Sequence, residues 1–173
     1  MILTGPLIEA AVQSGQVLIE PFDPRRINPA SYTFAIADEL FEVVWSQDGD
    51  QFLFDWRRVE LSGDFWLLEP RKLYLATTTE RIGSDVFAVR LTGRTALGYP
   101  GLFVQVTADL GHQGAKHRWT LELISATPTK IFPLRPIGQA SFWKTTGKPS
   151  RYRGAFGFSD APMRSTLHMG YKK

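Results

Sequence analysis

The chain has 173 residues, and 20 Lys+Arg against 17 Asp+Glu leave a formal net charge of +3. The length suits one domain of roughly 100–200 residues and the composition, 43% hydrophobic and 21% charged, is globular; the charge is too small to imply a nucleic-acid partner, and apolar runs of about five residues, as in Phe41–Trp45, exclude a membrane-spanning helix. Cysteine is absent, which excludes disulfides, thiolate nucleophiles, Cys-ligated zinc and the zinc nucleobase deaminases.

A helix is predicted first. Thr4 is a candidate N-cap, Pro6 falls in the first turn where its missing N–H costs nothing, and Leu7, Ile8, Ala11 and Val12 recur at helical spacing until Gly15. This opening stretch has neither the basic nor the apolar region of a secretory signal, so a cytoplasmic location is expected. Short strands follow: Val17–Glu20, Tyr32–Leu40 continuing through Phe41–Trp45, and Gln51–Asp55 after the turn signal Asp48-Gly49-Asp50. Further strands are predicted at Phe65–Leu68, Leu73–Thr79, Val86–Leu91, Leu102–Ala108, Trp119–Ile124, Lys130–Leu134 and Gln139–Lys144, with Gly and Pro between them. Many short strands and one good helix predict an all-β antiparallel barrel or sandwich. The tail beyond about Arg151 carries Phe156 and Phe158 with weak periodicity, and reads equally as a mobile arm or a frayed end.

Three segments can carry chemistry. Leu91–Gly98 follows a strand and sets Arg94 beside Thr95; if Thr95 begins a helical turn, its N–H groups and Arg94 make a phosphate cradle, where the plainer reading is a strand-end turn. In Trp119–Ile124, alternation puts Thr120, Glu122 and Ile124 on one face; burial would suit Glu122 to acid–base work, whereas the plainer reading is an outward glutamate. Lys144–Arg153 offers Lys148, Arg151 and Arg153 around Tyr152, a polyphosphate clamp or a solvated loop. Of the three histidines, His112 and His117 lie five apart, but with no third ligand evident they read as polar loop residues rather than a metal pair.

Taken in order, these segments resemble the dCTP deaminase branch of the dCTP deaminase/dUTPase superfamily, over about residues 1–154. Ile27-Asn28-Pro29-Ala30-Ser31-Tyr32 resembles the entry to that family's first long strand. Leu68-Glu69-Pro70 and Leu75–Glu80 resemble its L-x-P-G and L-x-x-T-x-E segment. Gly93-Arg94-Thr95-Ala96-Leu97 with Gly101-Leu102 follows G-R-S-S-L-A-R-x-G-L, and Val106-Thr107-Ala108 and Thr120-Leu121-Glu122-Leu123 come next in the expected order. Ile137-Gly138-Gln139 and Arg151-Tyr152-x-Gly154 resemble the late I-G-Q and K-Y-x-G elements.

The resemblance implies a distorted antiparallel β-barrel of the dUTPase-like kind over residues 1–173, with about 150–173 as a C-terminal arm. It implies a homotrimer with active sites at subunit interfaces. The substrate implied is a deoxynucleoside triphosphate carrying Mg²⁺ on its phosphates, with no zinc. By the resemblance Glu122 activates the water that attacks C4 of cytosine, Thr95 helps to orient the chemistry and Arg94 binds phosphate. The segment Arg94–Ala96 and Gln139 then belong to the substrate site, the backbone of Val106, Thr107 and Ala108 reads the base edge, and Arg151 and Tyr152 close over the triphosphate.

Four positions depart from the pattern. Tyr99 stands at the signature's second Arg, Ala96 at its second Ser, His112 at the Asp that positions hydrolytic water in dUTPases, and Thr33 at the first strand's common Asp. Retention of Glu122 favours deamination of dCTP, or a related cytosine nucleotide, to dUTP and ammonia. The other readings are a dUTPase-like pyrophosphatase or hydrolase of a non-standard nucleotide, a nucleotide-binding or regulatory trimer with little catalysis, and an unrelated all-β domain.

Overall fold

The computed structural model describes residues 1–48, 51–104, 107–148, 150–154, 157 and 159–163, with the side chains of residues 51 and 52 left out. Gly49, Asp50, Val106, Phe156 and Phe158 therefore lie outside the described residues. Helix α1 (Gly5–Gln13) leads into β1 (Val17–Glu20), a 3₁₀ turn (Pro24–Arg26), β2 (Ile27–Asn28), β3 (Ser31–Ala35), β4 (Phe41–Asp48) and β5 (Gln51–Arg58). Then come β6 (Trp66–Leu68), β7 (Leu73–Ser84), β8 (Phe87–Gly93), the short α2 (Thr95–Gly98), β9 (Leu102–Val104), β10 (Leu110–Gly111), β11 (Lys116–Ser125), β12 (Thr129–Ile131) and β13 (Pro136–Lys144). No helix among the described residues is long and apolar enough to cross a membrane.

Every named strand pair is antiparallel. One sheet runs β5-β4-β7-β11-β9 with β1 also on β7, a second runs β10-β8-β13-β3-β2, and β12 pairs with β6. The two larger sheets wrap one core, the distorted barrel that the sequence predicts. Tyr32 and Phe34 of β3, Leu91 of β8, Leu121 of β11 and Phe142 of β13 are fully buried in it. Each such side chain contributes about 1.5–3 kcal/mol by leaving water. Gly138 is required by packing: a Cβ there would strike the Phe34 ring and the Thr92 carbonyl, so glycine lets β13 lie close against β3 and β8.

Local details correct the sequence reading in places. Thr4 occupies the N-cap of α1 with extended backbone, but its side chain makes no capping bond; Gly15, at φ +73°, does end the helix region. Tyr32–Leu40 and Phe41–Trp45 are not one strand: β3 ends at Ala35, where Ile36 donates to the Arg135 carbonyl and Ala37 to that of Thr77, and the chain turns into β4. The strand predicted at 102–108 is β9, whose described part stops at Val104, and Leu134, at φ 59°, lies beyond β12 rather than within it. Strand β4 pairs with β7 only at Phe41 and Glu42, then pairs with β5 as a two-stranded ribbon.

Candidate active site

Glu122 sits in the middle of β11. Trp119, Leu121 and Leu123 point into the core while Thr120, Glu122 and Ile124 are half-buried on the other face, the predicted alternation. The glutamate is thus half-buried, not buried as the catalytic reading asked. Its neighbours across the strands are Leu75 on β7 and, beside Ile124, Phe103 on β9. Glu122 Oε2 accepts a hydrogen bond from the Thr107 backbone N–H at 3.3 Å. Its other oxygen has no protein donor among the described residues, so the carboxylate is anchored at one end and open at the other.

The turn after β8 behaves as the conditional reading required. Thr95 begins α2, and Arg94 takes the N-cap position with its carbonyl accepting from Leu97 and Gly98 N–H. The side chains of Arg94, Thr95 and Ala96 are exposed, and Tyr99 at the C-cap is 98% exposed. The turn is tied back to the barrel by Arg94 N–H donating to the Ile137 carbonyl at 3.3 Å. Gly93 packs toward Val104, which pairs with Leu123, the residue after Glu122. Thr92 pairs with Gln139, so the turn and Gln139 lie on adjacent strands of the second sheet, whereas β11 belongs to the first.

The C-terminal residues lie elsewhere. Tyr152 N–H donates to the Gln113 carbonyl at 2.7 Å, and its ring stacks on His112 at 5.5 Å. Arg151 Nε is 3.8 Å from Asp85, whose other oxygen takes Lys116 Nζ at 2.7 Å. The Lys116 hydrogen bond holds the Asp85 carboxyl below the usual carboxylate range. Lys116 and Glu122 are six residues apart on one strand, or about 20 Å. Within one chain, then, Arg151, Tyr152 and His112 gather at the start of β11 and not around Glu122. Thr107 and Ala108 follow the outer end of β9 and are exposed; Val106, between them and the strand, lies outside the described residues.

Two features escape sequence reasoning. Gln113, buried behind His112, donates to the Val86 carbonyl at 2.5 Å and to Thr145 Oγ1 at 2.9 Å, pinning the loop that carries His112. Glu80, 1% exposed on β7, pairs with Arg26 and accepts from Ala35 N–H at 3.0 Å. Burial pushes its carboxyl above the usual range, against the pull of those two donors. Glu80 was visible only as the last letter of a motif. The two histidines share no environment: His117 is buried with its ring 4.3 Å from that of Trp119. No group of three potential metal-ligating side chains occurs among the described residues.

Known proteins resemble the chain in sequence and in fold. A protein from Rhodopirellula baltica named dCTP deaminase is 35% identical over 150 residues, covering 85% of this chain and 74% of its own length. One from Clostridium beijerinckii named dCTP deaminase, dUMP-forming, is 35% identical over 158 residues, covering 88% of this chain and 87% of its own. The crystal structure of 2'-deoxycytidine 5'-triphosphate deaminase from Agrobacterium tumefaciens superposes with a TM-score of 0.63 at 18% identity, over 82% of this chain. That match spans 47% of the Agrobacterium chain and speaks for the fold alone. A family profile described as dCTP deaminase-like matches residues 2–145, and on that match and these identities the chain belongs to the dCTP deaminase-like family of enzymes.

Proposed function

We propose that the chain deaminates dCTP, taken as its Mg²⁺ complex, to dUTP and ammonia. The observation that carries this reading is Glu122: a carboxylate with one oxygen steadied by the Thr107 amide and the other without a protein donor among the described residues. Glu122 takes a proton from water as the hydroxide adds across the C4=N3 bond of cytosine, and returns it to the exocyclic amino group. The bond from C4 to that amino nitrogen then breaks, ammonia leaves, and the hydroxyl proton passes to N3 as C4 becomes the carbonyl of uracil. Thr95 orients this chemistry, and the exposed Arg94 meets the phosphates with a charge-assisted contact. Backbone at Val106–Ala108 reads the base edge, and Ala96 and Gln139 line the same substrate site.

The site is completed in a homotrimer. Two observations support assembly. Glu122 lies on an outer sheet face with Leu75, Ile124 and the 56%-exposed Phe103 for company, a surface that suits a second copy. Arg151 and Tyr152 sit about 20 Å along β11 from Glu122, so in this reading they serve the site of a neighbouring copy, as part of a C-terminal arm of about residues 150–173. Exchange of Glu122 for Gln tests the assignment: ammonia release stops while dCTP binding persists, and unchanged turnover overturns it.

A second reading takes the reaction one bond further, to dUMP and pyrophosphate. Its support is the naming of relatives such as the one from Clostridium botulinum (strain Eklund 17B / Type B), 31% identical over the whole of both chains, as dUMP-forming. Against it stands His112 at the position of the family's water-positioning Asp, with its ring stacked on Tyr152. Chromatography of the nucleotide product separates the two, because dUTP and dUMP differ by two phosphates.

A further inference from the structure

One polar network beside the phosphate-facing turn reaches Gln139 from two residues, Asn28 and Ser31, that have no part in the chemistry above. Asn28 Nδ2 donates to Thr33 Oγ1 at 2.9 Å and to Ser31 Oγ at 3.2 Å, and the Ser31 hydroxyl donates to Gln139 Oε1 at 2.7 Å. Asn28 gives its two amide hydrogens to Thr33 and Ser31, and the Ser31 hydroxyl, which accepts from Asn28, still has its own hydrogen to give to Gln139 Oε1. The Gln139 amide is thereby held with its oxygen turned to Ser31 and its NH₂ group turned away, and that group has no acceptor among the described residues. Ser31 is only 8% exposed, so water competes weakly for the relay.

The strands put this amide in a telling place. Thr33 on β3, Gln139 on β13 and Thr92 on β8 pair in one row across the sheet. Of this row Thr92 and Gln139 line a groove together with Asn28 and Ser31, and Thr92 is two residues from Arg94. Thr33 keeps the row free of formal charge: it accepts the Asn28 bond as a carboxylate would, without setting a negative charge beside an anion.

We propose that Ser31 and Asn28 are positioning residues that lock the Gln139 side chain so that its NH₂ donates to a phosphate oxygen of the bound nucleotide. The opposite amide orientation would present Oε1 to that anion. This inference rests on the reading of Gln139 as part of the substrate site.

The test measures Kd for Mg·dCTP by calorimetry, and KM and kcat by ammonia release, in Gln139→Ala, Ser31→Ala, Ser31→Thr and the Ser31→Ala/Gln139→Ala double variant. Loss of one oriented hydrogen bond is expected to raise Kd and KM about three- to tenfold in Ser31→Ala, with kcat little changed. Ser31→Thr, which keeps the hydroxyl, restores wild-type binding, and the double variant binds no worse than Gln139→Ala alone. Wild-type binding by Ser31→Ala beside weak binding by Gln139→Ala overturns the relay and leaves the Gln139 reading standing. Additive losses in the double variant overturn the relay too, since they show Ser31 acting independently of Gln139. Wild-type binding by Gln139→Ala overturns the substrate-site reading itself, and the relay with it.

Discussion

Glu80 and Glu122 stand on neighbouring, paired strands of one sheet and live in opposite surroundings. Glu80 is buried, ion-paired to Arg26 and bonded to the Ala35 amide, so both its oxygens are used inside the protein. Glu122 is half-buried and holds one amide through one oxygen, with the other oxygen free of protein donors among the described residues. The difference separates structure from chemistry. A glutamate with every lone pair engaged ties strands together, and one with a spare oxygen can hold water and move a proton.

The sharpest way to break this comparison is to truncate each glutamate and weigh stability. Glu80→Ala leaves the Ala35 N–H unpaired and the Arg26 guanidinium with only its longer 3.9 Å pairing to Asp23 among the described residues; full burial would put the loss near 3–5 kcal/mol, and since Arg26 is 30% exposed we expect roughly 2–4 kcal/mol, or a Tm lower by roughly 5–15 °C. Glu122→Ala should stay within about 0.5 kcal/mol of the parent in the same calorimetric scan. Equal losses in both would erase the distinction.

A smaller effect is expected at the C-terminal arm. Among the described residues Arg151 has only a loose, exposed pairing with Asp85 in its own chain, which leaves it able to serve a nucleotide. Losing one charge-assisted contact in Arg151→Ala should weaken dCTP binding roughly ten- to hundredfold in a titration. Normal binding would remove the arm from the substrate site.

The smallest effect concerns pH. Burial lowers the proton affinity of His117 in the folded protein, chiefly by desolvation, with the Arg118 and Ser159 backbone and Asp160 pulling upward and Arg81 downward. As pH falls through about 6.5, the unfolded chain takes up the proton first, so stability must fall with pH in that range. Thermal melts of the wild type between about pH 7.5 and 5.5 should show this slope, and His117→Phe should flatten it. An unaltered slope in the variant would place the pH dependence elsewhere.

The barrel and the Glu122 face were legible because they depend on local alternation: β11 reads out its own two faces in ten residues. The β4–β5 pairing was legible from a turn signal flanked by apolar runs, although Gly49 and Asp50 lie outside the described residues. The break between β3 and β4 was missed because it is imposed by hydrogen bonds to Arg135 and Thr77, both distant in sequence. Glu80 was missed for the same reason: its partner Arg26 is 54 residues away. The placing of Arg151 and Tyr152 against the loop of His112 and Gln113 likewise follows from tertiary contacts that no local pattern encodes.

The most direct measurement of the central claim is an ammonia assay on the purified protein with dCTP and Mg²⁺, run beside separation of the nucleotides. The account predicts one ammonia for each dCTP consumed, with dUTP as the nucleotide formed. Release of pyrophosphate without ammonia, or tight binding of dCTP with no product, would contradict it.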